Sequence, residues 1–218
     1  MTRDKYHQEL DAVQADVARM ATTAAEAIRD AVEALRARDV ARATQVVDAD
    51  DKIDAMHMEL ENRCTRLLAL QQPMARDLRA IAAVFAITID LERMADHGEG
   101  IGRAVKRLAA FPPIEPPPEI WEMSTLVEEM ARDAVDALLN QDVERARAMA
   151  AKDDSVDRLR SQAFRRLLGV MVGDPSTTAR ELEMLLVVQH LERAADHLTN
   201  VAERVIYLVT GELRELNV

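Results

Sequence analysis

Residues 90–97 read DLERMADH, and residues 190–197 read HLERAADH. A repeated apolar octapeptide would follow from core packing. A repeated Glu-x-x-x-Asp, Glu92 with Asp96 and Glu192 with Asp196, points instead to a repeated site. The duplication extends well beyond these eight letters. EAIRDAVEALRARDV (26–40) matches EMARDAVDALLNQDV (129–143) at an offset of 103, and Asp50 and Asp54 match Asp153 and Asp157 at the same offset. The octapeptide matches at 100, which places a loss of three residues near the second break of the second copy. The chain is a tandem duplication.

Breakers divide each copy. FPPIEPPPEI at 111–120 holds five prolines, which remove N–H donors and push their neighbours toward extended geometry. The expected organisation is a first unit over 1–110, a flexible linker over 111–118 and a second unit over 119–218. In the first unit RARDV (36–40) offers Asp39 as a helix N-cap and QQPMARD (71–77) a second break. NQDV (140–143) and GDPSTTAR (173–180) do the same in the second. Three long helices per unit result. Val13, Val17, Met20, Ala24, Ile28, Ala31 and Leu35 form one apolar stripe, Val46, Ile53, Leu60, Cys64 and Leu67 a second, and Ile81, Phe85, Thr88 and Ala95 a third. With 49% apolar residues but only 3% aromatics and 6 glycines, the composition favours helix over strand. The predicted fold is all-α: two tandem, internally duplicated three-helix bundles packed side by side.

Charge limits the partners. The 28 basic and 39 acidic residues give a net charge of −11, which argues against nucleic acid and against direct docking on anionic lipid. Any membrane role is expected to run through another protein. MTRDKYHQEL lacks the apolar region of a signal peptide, and the near-apolar run at 80–89 is too short to span a bilayer. A soluble protein is expected. The single Cys64 rules out an internal disulfide and a multi-Cys zinc site, and fits a reducing cytoplasm.

At about 100° per residue, Glu92 falls within roughly 20° of Phe85 and Asp96 within roughly 20° of Ile89, on the shoulder of the apolar stripe. Glu192 and Asp196 stand in the same relation to Leu185 and Gln189. Asp50 and Asp54 flank Ile53, with His57 and Glu61 further along, and Asp153 and Asp157 flank Val156. Each unit thus offers two i,i+4 carboxylate pairs on neighbouring helices. Pairs of this kind are commonly solvated and matched by arginine, and Arg93 and Arg193 are at hand. Four duplicated pairs of like charge on half-buried shoulders are better explained by a divalent cation. Oxygen donors suit a hard or borderline ion. Glu26 with Asp30, and Glu129 with Asp133, point away from the stripe and read as surface charges. His97 and His197 lie about 100° round the helix from Asp96 and Asp196 and read as packing or hydrogen-bonding residues. No phosphate-cradling glycine loop, nucleophile elbow, His-Glu-x-x-His or Glu-x-x-His pair is present, so nothing nominates an enzyme.

ERMAD at 92–96, ERAAD at 192–196, QQPMARDLR at 71–79 and VIYLVTGE at 205–212 occur in an ordered, duplicated set that resembles the PhoU family. The resemblance implies cytoplasmic regulation of phosphate uptake and phosphate-starvation signalling. It also implies contact with the ATPase of the phosphate ABC transporter and with a sensor histidine kinase, negative regulation when phosphate is plentiful, and a homodimer. Carried over, the family's metal motifs fall on Asp50, Asp54, Glu92, Asp96, Asp153, Asp157, Glu192 and Asp196, with His57, Glu61, Glu99 and Asn200 as further candidates. The implied ion is Fe, Mn, Mg or Zn. The family motif often continues with Asn four residues after its Asp. Asn200 fits this and Gly100 does not, so unequal occupancy of the two units is expected. A metal-storage or redox bundle is the competing reading.

Overall fold

The computed structural model describes residues 3–213 and 215–216. Its helices are α1 (Arg3–Ala37), α2 (Val40–Gln71), α3 (Arg76–Leu108), α4 (Glu119–Asn140), α5 (Val143–Ala150), α6 (Asp153–Gly173) and α7 (Thr178–Thr210), with a 3₁₀ turn at Pro175–Thr177. Among the described residues there is no strand. The two units break at matching places by the same local chemistry. Arg38 and Gln141 take left-handed conformations at φ 55° and 53°. The next residues, Asp39 and Asp142, cap the following helices, each side chain accepting from the backbone N–H three residues on (Arg42 and Arg145) at 3.0 Å. Each cap contributes about 1 kcal/mol.

The second unit departs from three long helices. Where α2 runs unbroken, its counterpart is interrupted at Ala151–Lys152 and becomes α5 and α6. Lys152 N–H bonds Met149 O at 3.0 Å, three residues back, which tightens the chain locally. The Lys152 ammonium reaches across to Glu129 at 3.0 Å and Asp133 at 2.9 Å on α4. Helix then restarts with Asp153 and Asp154 in its first turn, where the N-terminal dipole favours negative charge. The equivalent first-unit residue, Ala49, has no such reach.

Helices α2, α3, α7 and α6 form a row, with α3 against α7 at its centre. Helices α1 and α4 pack together behind it, α1 on α2 and α3, and α4 on α7 and α6. One continuous apolar core runs through both units, from Met20, Ile28, Ile81 and Met94 to Met123, Met130, Met149 and Leu191. Cys64 is fully buried, and burial pushes its thiol up to about 11, so it is inert. The proline segment is non-helical over 111–117, as expected, but it lies against the bundle. Pro117 is buried, Ile114 packs on the core, and Arg38 donates to Phe111 O at 3.3 Å. Trp121 beyond it lies 4.6 Å beneath the Arg36 guanidinium. The units are therefore joined by packed surface as well as by chain.

Close helix approach depends on Gly98. A Cβ there would sit 3.1 Å from the backbone of Ala27 and Ile28 on α1. Gly98→Ala should therefore destabilise by about 1–3 kcal/mol through overpacking. Gly169→Ala, on an exposed turn of α6 with nothing within 4 Å of its Cβ, should stabilise by about 0.5–1 kcal/mol. Denaturant titration of the two variants checks the pair. Equal shifts of the same sign would contradict the packing described.

Candidate functional site

The carboxylates singled out by the repeat gather in two grooves of the helix row. In the first, between α2 and α3, burial raises the Asp50 carboxyl to about 6, reinforced by the negative charges of Asp96, Glu99, Asp54 and Glu92. Glu92 is raised by burial and then by Asp96, against the opposing pull of Arg93. The repulsion acts across the groove, so the structure brings Asp50, Asp54, Glu92, Asp96 and Glu99 into one site. His57 faces it too, drawing the Glu92 carboxyl down, while its own Nδ1 is buried without a hydrogen-bond partner. Glu61 is exposed further along α2. Arg93 pairs with Asp96 at 3.2 Å and Glu92 at 3.5 Å from the solvent side, and Arg103 with Glu99 at 2.5 Å.

The second groove, between α6 and α7, repeats the pattern with a difference. Burial and then Asp196 raise the Glu192 carboxyl, while burial and then Asp157 raise that of Asp196. Arg160 opposes both, its Nε lying 3.4 Å from Glu192 Oε1. Asp153 is buried at the first residue of α6.

Among the described residues, no three His, Cys, Asp or Glu side chains are already closed up as a metal site. The first groove nonetheless fits a cation in kind. It offers oxygen donors, the Asp50 and Glu92 carboxyls raised by burial and then by neighbouring acids, and an orphaned imidazole nitrogen. Side-chain rotation would be needed to gather them. Of the other duplicated acids, read from the sequence as surface charges, Glu26 is exposed and the remaining three are paired. Asp30 is bonded to Arg42 at 2.8 Å, and Glu129 and Asp133 are bonded to Lys152.

Between the two grooves lies the α3–α7 seam. His97 Nδ1 stands 3.2 Å from His190 Nδ1, and His197 Nδ1 is 3.0 Å from Asp90 Oδ1. At one end Arg107 donates to both oxygens of Glu183 at 2.8 Å. Rising numbers on α3 meet falling numbers on α7, so the helices are antiparallel. An approximate two-fold relation carries His97–His190 onto His197–Asp90. On that axis His97 and His197 stack with centroids 5.4 Å apart and planes at 28°. The side chain of Asn200 is engaged here, donating to Asp90 Oδ1 at 3.0 Å. Gly100, its counterpart, lies beneath the His190 ring, where a Cβ would come within 2.3 Å of the ring. The Gly100/Asn200 difference is thus tied to what faces it across the seam.

Sequence reasoning assigned His97 and His197 to packing and hydrogen bonding, and they do both. Asp90 and His190 were missed, although the signal was present in the first letters of the two octapeptides, the one polar position at which they differ. Exposed Arg166 also pairs with buried Glu119 at 2.9 Å between α4 and α6, the counterpart at the same offset of 103 of the Arg63–Asp16 pair between α2 and α1, and sequence reasoning missed both.

Comparison with known proteins agrees with this fold. The PhoU domain family matches residues 17–105 and 120–205. The chain is 38% identical over 218 residues to a phosphate-specific transport system accessory protein PhoU homolog of Clostridium acetobutylicum, covering all of both chains. It is 41% identical over 209 residues to that of Aquifex aeolicus, covering 96% of this chain and 95% of the relative. Among solved structures it is similar to the crystal structure of PhoU from Pseudomonas aeruginosa, with TM-score 0.90, 34% identity and coverage of 95% of this chain and 100% of that one. The phosphate transport system regulatory protein PhoU from Streptococcus pneumoniae gives TM-score 0.90 at 30% identity, over 96% and 99% of the two chains.

The seam makes a pH prediction. Burial, then the neighbouring His190 and His197 and the cations Arg193 and Arg93, hold His97 down to about 3. In the unfolded chain it titrates near ~6.5. Between these values the unfolded state binds more protons, so stability from this group is present above about 6.5 and is lost as pH falls toward 3. Asp50 acts in the opposite sense, relieved by protonation below about 6. Melting curves at pH 7 and pH 5 should therefore show a smaller acid-side loss in His97→Gln than in the parent. An identical pH slope in the two proteins would contradict a buried neutral His97.

Proposed function

Because the chain belongs to the PhoU family, we propose that it is an accessory protein of a phosphate-specific transport system. It works in the cytoplasm as an adaptor between the ATPase of a phosphate ABC transporter and a sensor histidine kinase, which it holds in the repressing state when phosphate is plentiful. The observation that carries this reading is the correspondence, over the full length of both chains, with a relative named for that system. No described helix is long and apolar enough to cross a membrane, and a net charge of −11 disfavours direct binding to anionic lipid, so the membrane is reached through protein.

A row of helices on one continuous core offers a fixed surface, which is what an adaptor needs to meet two partners without reordering itself. Cations fit that role by tying helices together. Asp50, Asp54, Glu92 and Asp96, with His57, Glu61 and Glu99 near them, would hold one between α2 and α3. Asp153, Asp157, Glu192 and Asp196 are the matching set between α6 and α7. The chemistry supplied is charge neutralisation of mutually repelling carboxylates. Mg or Mn suits oxygen donors best, and the imidazole of His57 admits Fe or Zn.

Deletion of the coding sequence should leave phosphate-starvation genes expressed in phosphate-rich medium, and restoring the chain should silence them. A fraction of the chain should sediment with membranes only when the transporter is present, and less of it at higher salt, since charges are screened over about 10 Å at ~0.1 M. Membrane association unchanged without transporter and kinase would contradict the proposal.

A further inference from the structure

The two carboxylate grooves are duplicates in backbone and differ in charge. Three replacements separate them, and all run the same way. His57 on α2 corresponds to Arg160 on α6, Glu61 to Phe164, and Glu99 on α3 to Thr199 on α7. In the first groove Glu99 adds a carboxylate to the site, whereas Thr199 is fully buried with its hydroxyl donating to Ala195 O at 3.3 Å. Helix α2 brings to the first groove an imidazole whose Nδ1 is buried with no partner. Helix α6 brings to the second a guanidinium that crosses to Glu192 at 3.4 Å. Arg93 and Arg193 are common to both units and so cannot distinguish them. Arg93, moreover, sits on the same helix as the acids it touches and spans no gap.

We infer that the two grooves are not equivalent: Arg160 is the built-in cation of the second, tying α6 to α7, and a divalent ion is taken up only in the first. This rests on reading the grooves as cation sites. In the second groove an incoming ion would meet a positive charge already in place, without the counterparts of Glu61 and Glu99 to hold it, and would have to displace the guanidinium from Glu192. In the first groove no cation comes across from α2, and the ion does there what Arg160 does in its counterpart. Such an ion would satisfy the orphaned His57 nitrogen, which lies at the first groove.

The test is Mn(II) titration of the metal-stripped full-length chain, followed by calorimetry and by the electron paramagnetic resonance signal of free Mn(II). Asp50→Asn with Asp96→Asn should abolish uptake and the accompanying rise in melting temperature. Asp157→Asn with Asp196→Asn should leave both within about twofold. Arg160→His, which gives the second groove the residue of the first, should add a second class of sites and raise the stoichiometry, and so should Arg160→Gln. Far-UV circular dichroism checks that each variant is folded, and the isosteric Asn changes at these half-exposed positions keep it so. Loss of uptake shared equally by the two paired variants, or no added site on replacing Arg160, would overturn the asymmetry while leaving the grooves as cation sites. No Mn(II) uptake by the parent or by either Arg160 variant would overturn the cation reading itself, and the asymmetry with it.

Discussion

The antiparallel contact of α3 with α7 is the constraint from which the rest of the molecule follows. A duplicated chain that packs its two copies about an approximate two-fold axis brings equivalent positions face to face. Two identical charges at such a position would repel in a desolvated seam. Here the residues on the axis are His97 and His197, which stack as rings, and the positions that flank them have diverged. Asp90 accepts from His197 and Asn200, while its counterpart His190 meets His97 above Gly100. Two unlike solutions, Asp with Asn and His with Gly, fill the same space on either side of the axis. Burial, then the neighbouring histidines and arginines, keep His97 below the usual imidazole range, and burial with Arg193 and Arg107 does the same for His190, so these two rings meet as neutral groups.

With α3 and α7 facing each other through these residues, their Glu-x-x-x-Asp shoulders are turned outward, toward α2 and α6. The octapeptide thus serves two contacts at once. Its histidines, with Asp90 and His190, build the seam, and its acids build the flanking grooves. Both units bridge helices with cations, Arg63 meeting Asp16 and Glu9 in the first as Arg166 meets Glu119 in the second, and the second unit adds Lys152 and Arg160. Lys152 holds α4 at the helix break, Arg166 grips the buried Glu119, and Arg160 reaches Glu192. The result is one core carrying two grooves of unequal charge.

Much of this is legible in the sequence. The proline cluster, the duplicated Asp39 and Asp142 caps and the helical stripes are local signals, and local signals fix element boundaries. They fixed the all-α duplicated fold. The break at Ala151–Lys152 was not legible, and the contacts from Lys152 to α4 that accompany it are ones periodicity does not record. The shoulder placement of Asp50, Glu92, Glu192 and Asp196 was legible from helix geometry. Their pairing across grooves rested on a symmetry argument, and the structure places Asp153 deeper than its first-unit counterpart. The seam partners were hidden for another reason. Asp90 and Asn200, or His190 and Gly100, are meaningful only as pairs, and a single sequence shows no pairing between positions about a hundred residues apart.

If the seam holds the two units as one body, α3 and α7 must open together. Native-state amide hydrogen exchange, followed residue by residue across 80–105 and 180–205 with small additions of denaturant, measures this directly. The account predicts that core amides of both helices exchange through one shared global opening, and that His190→Ala lowers the opening free energy of both by the same amount. Separate opening of the two helices, or a His190→Ala effect confined to α7, would contradict it.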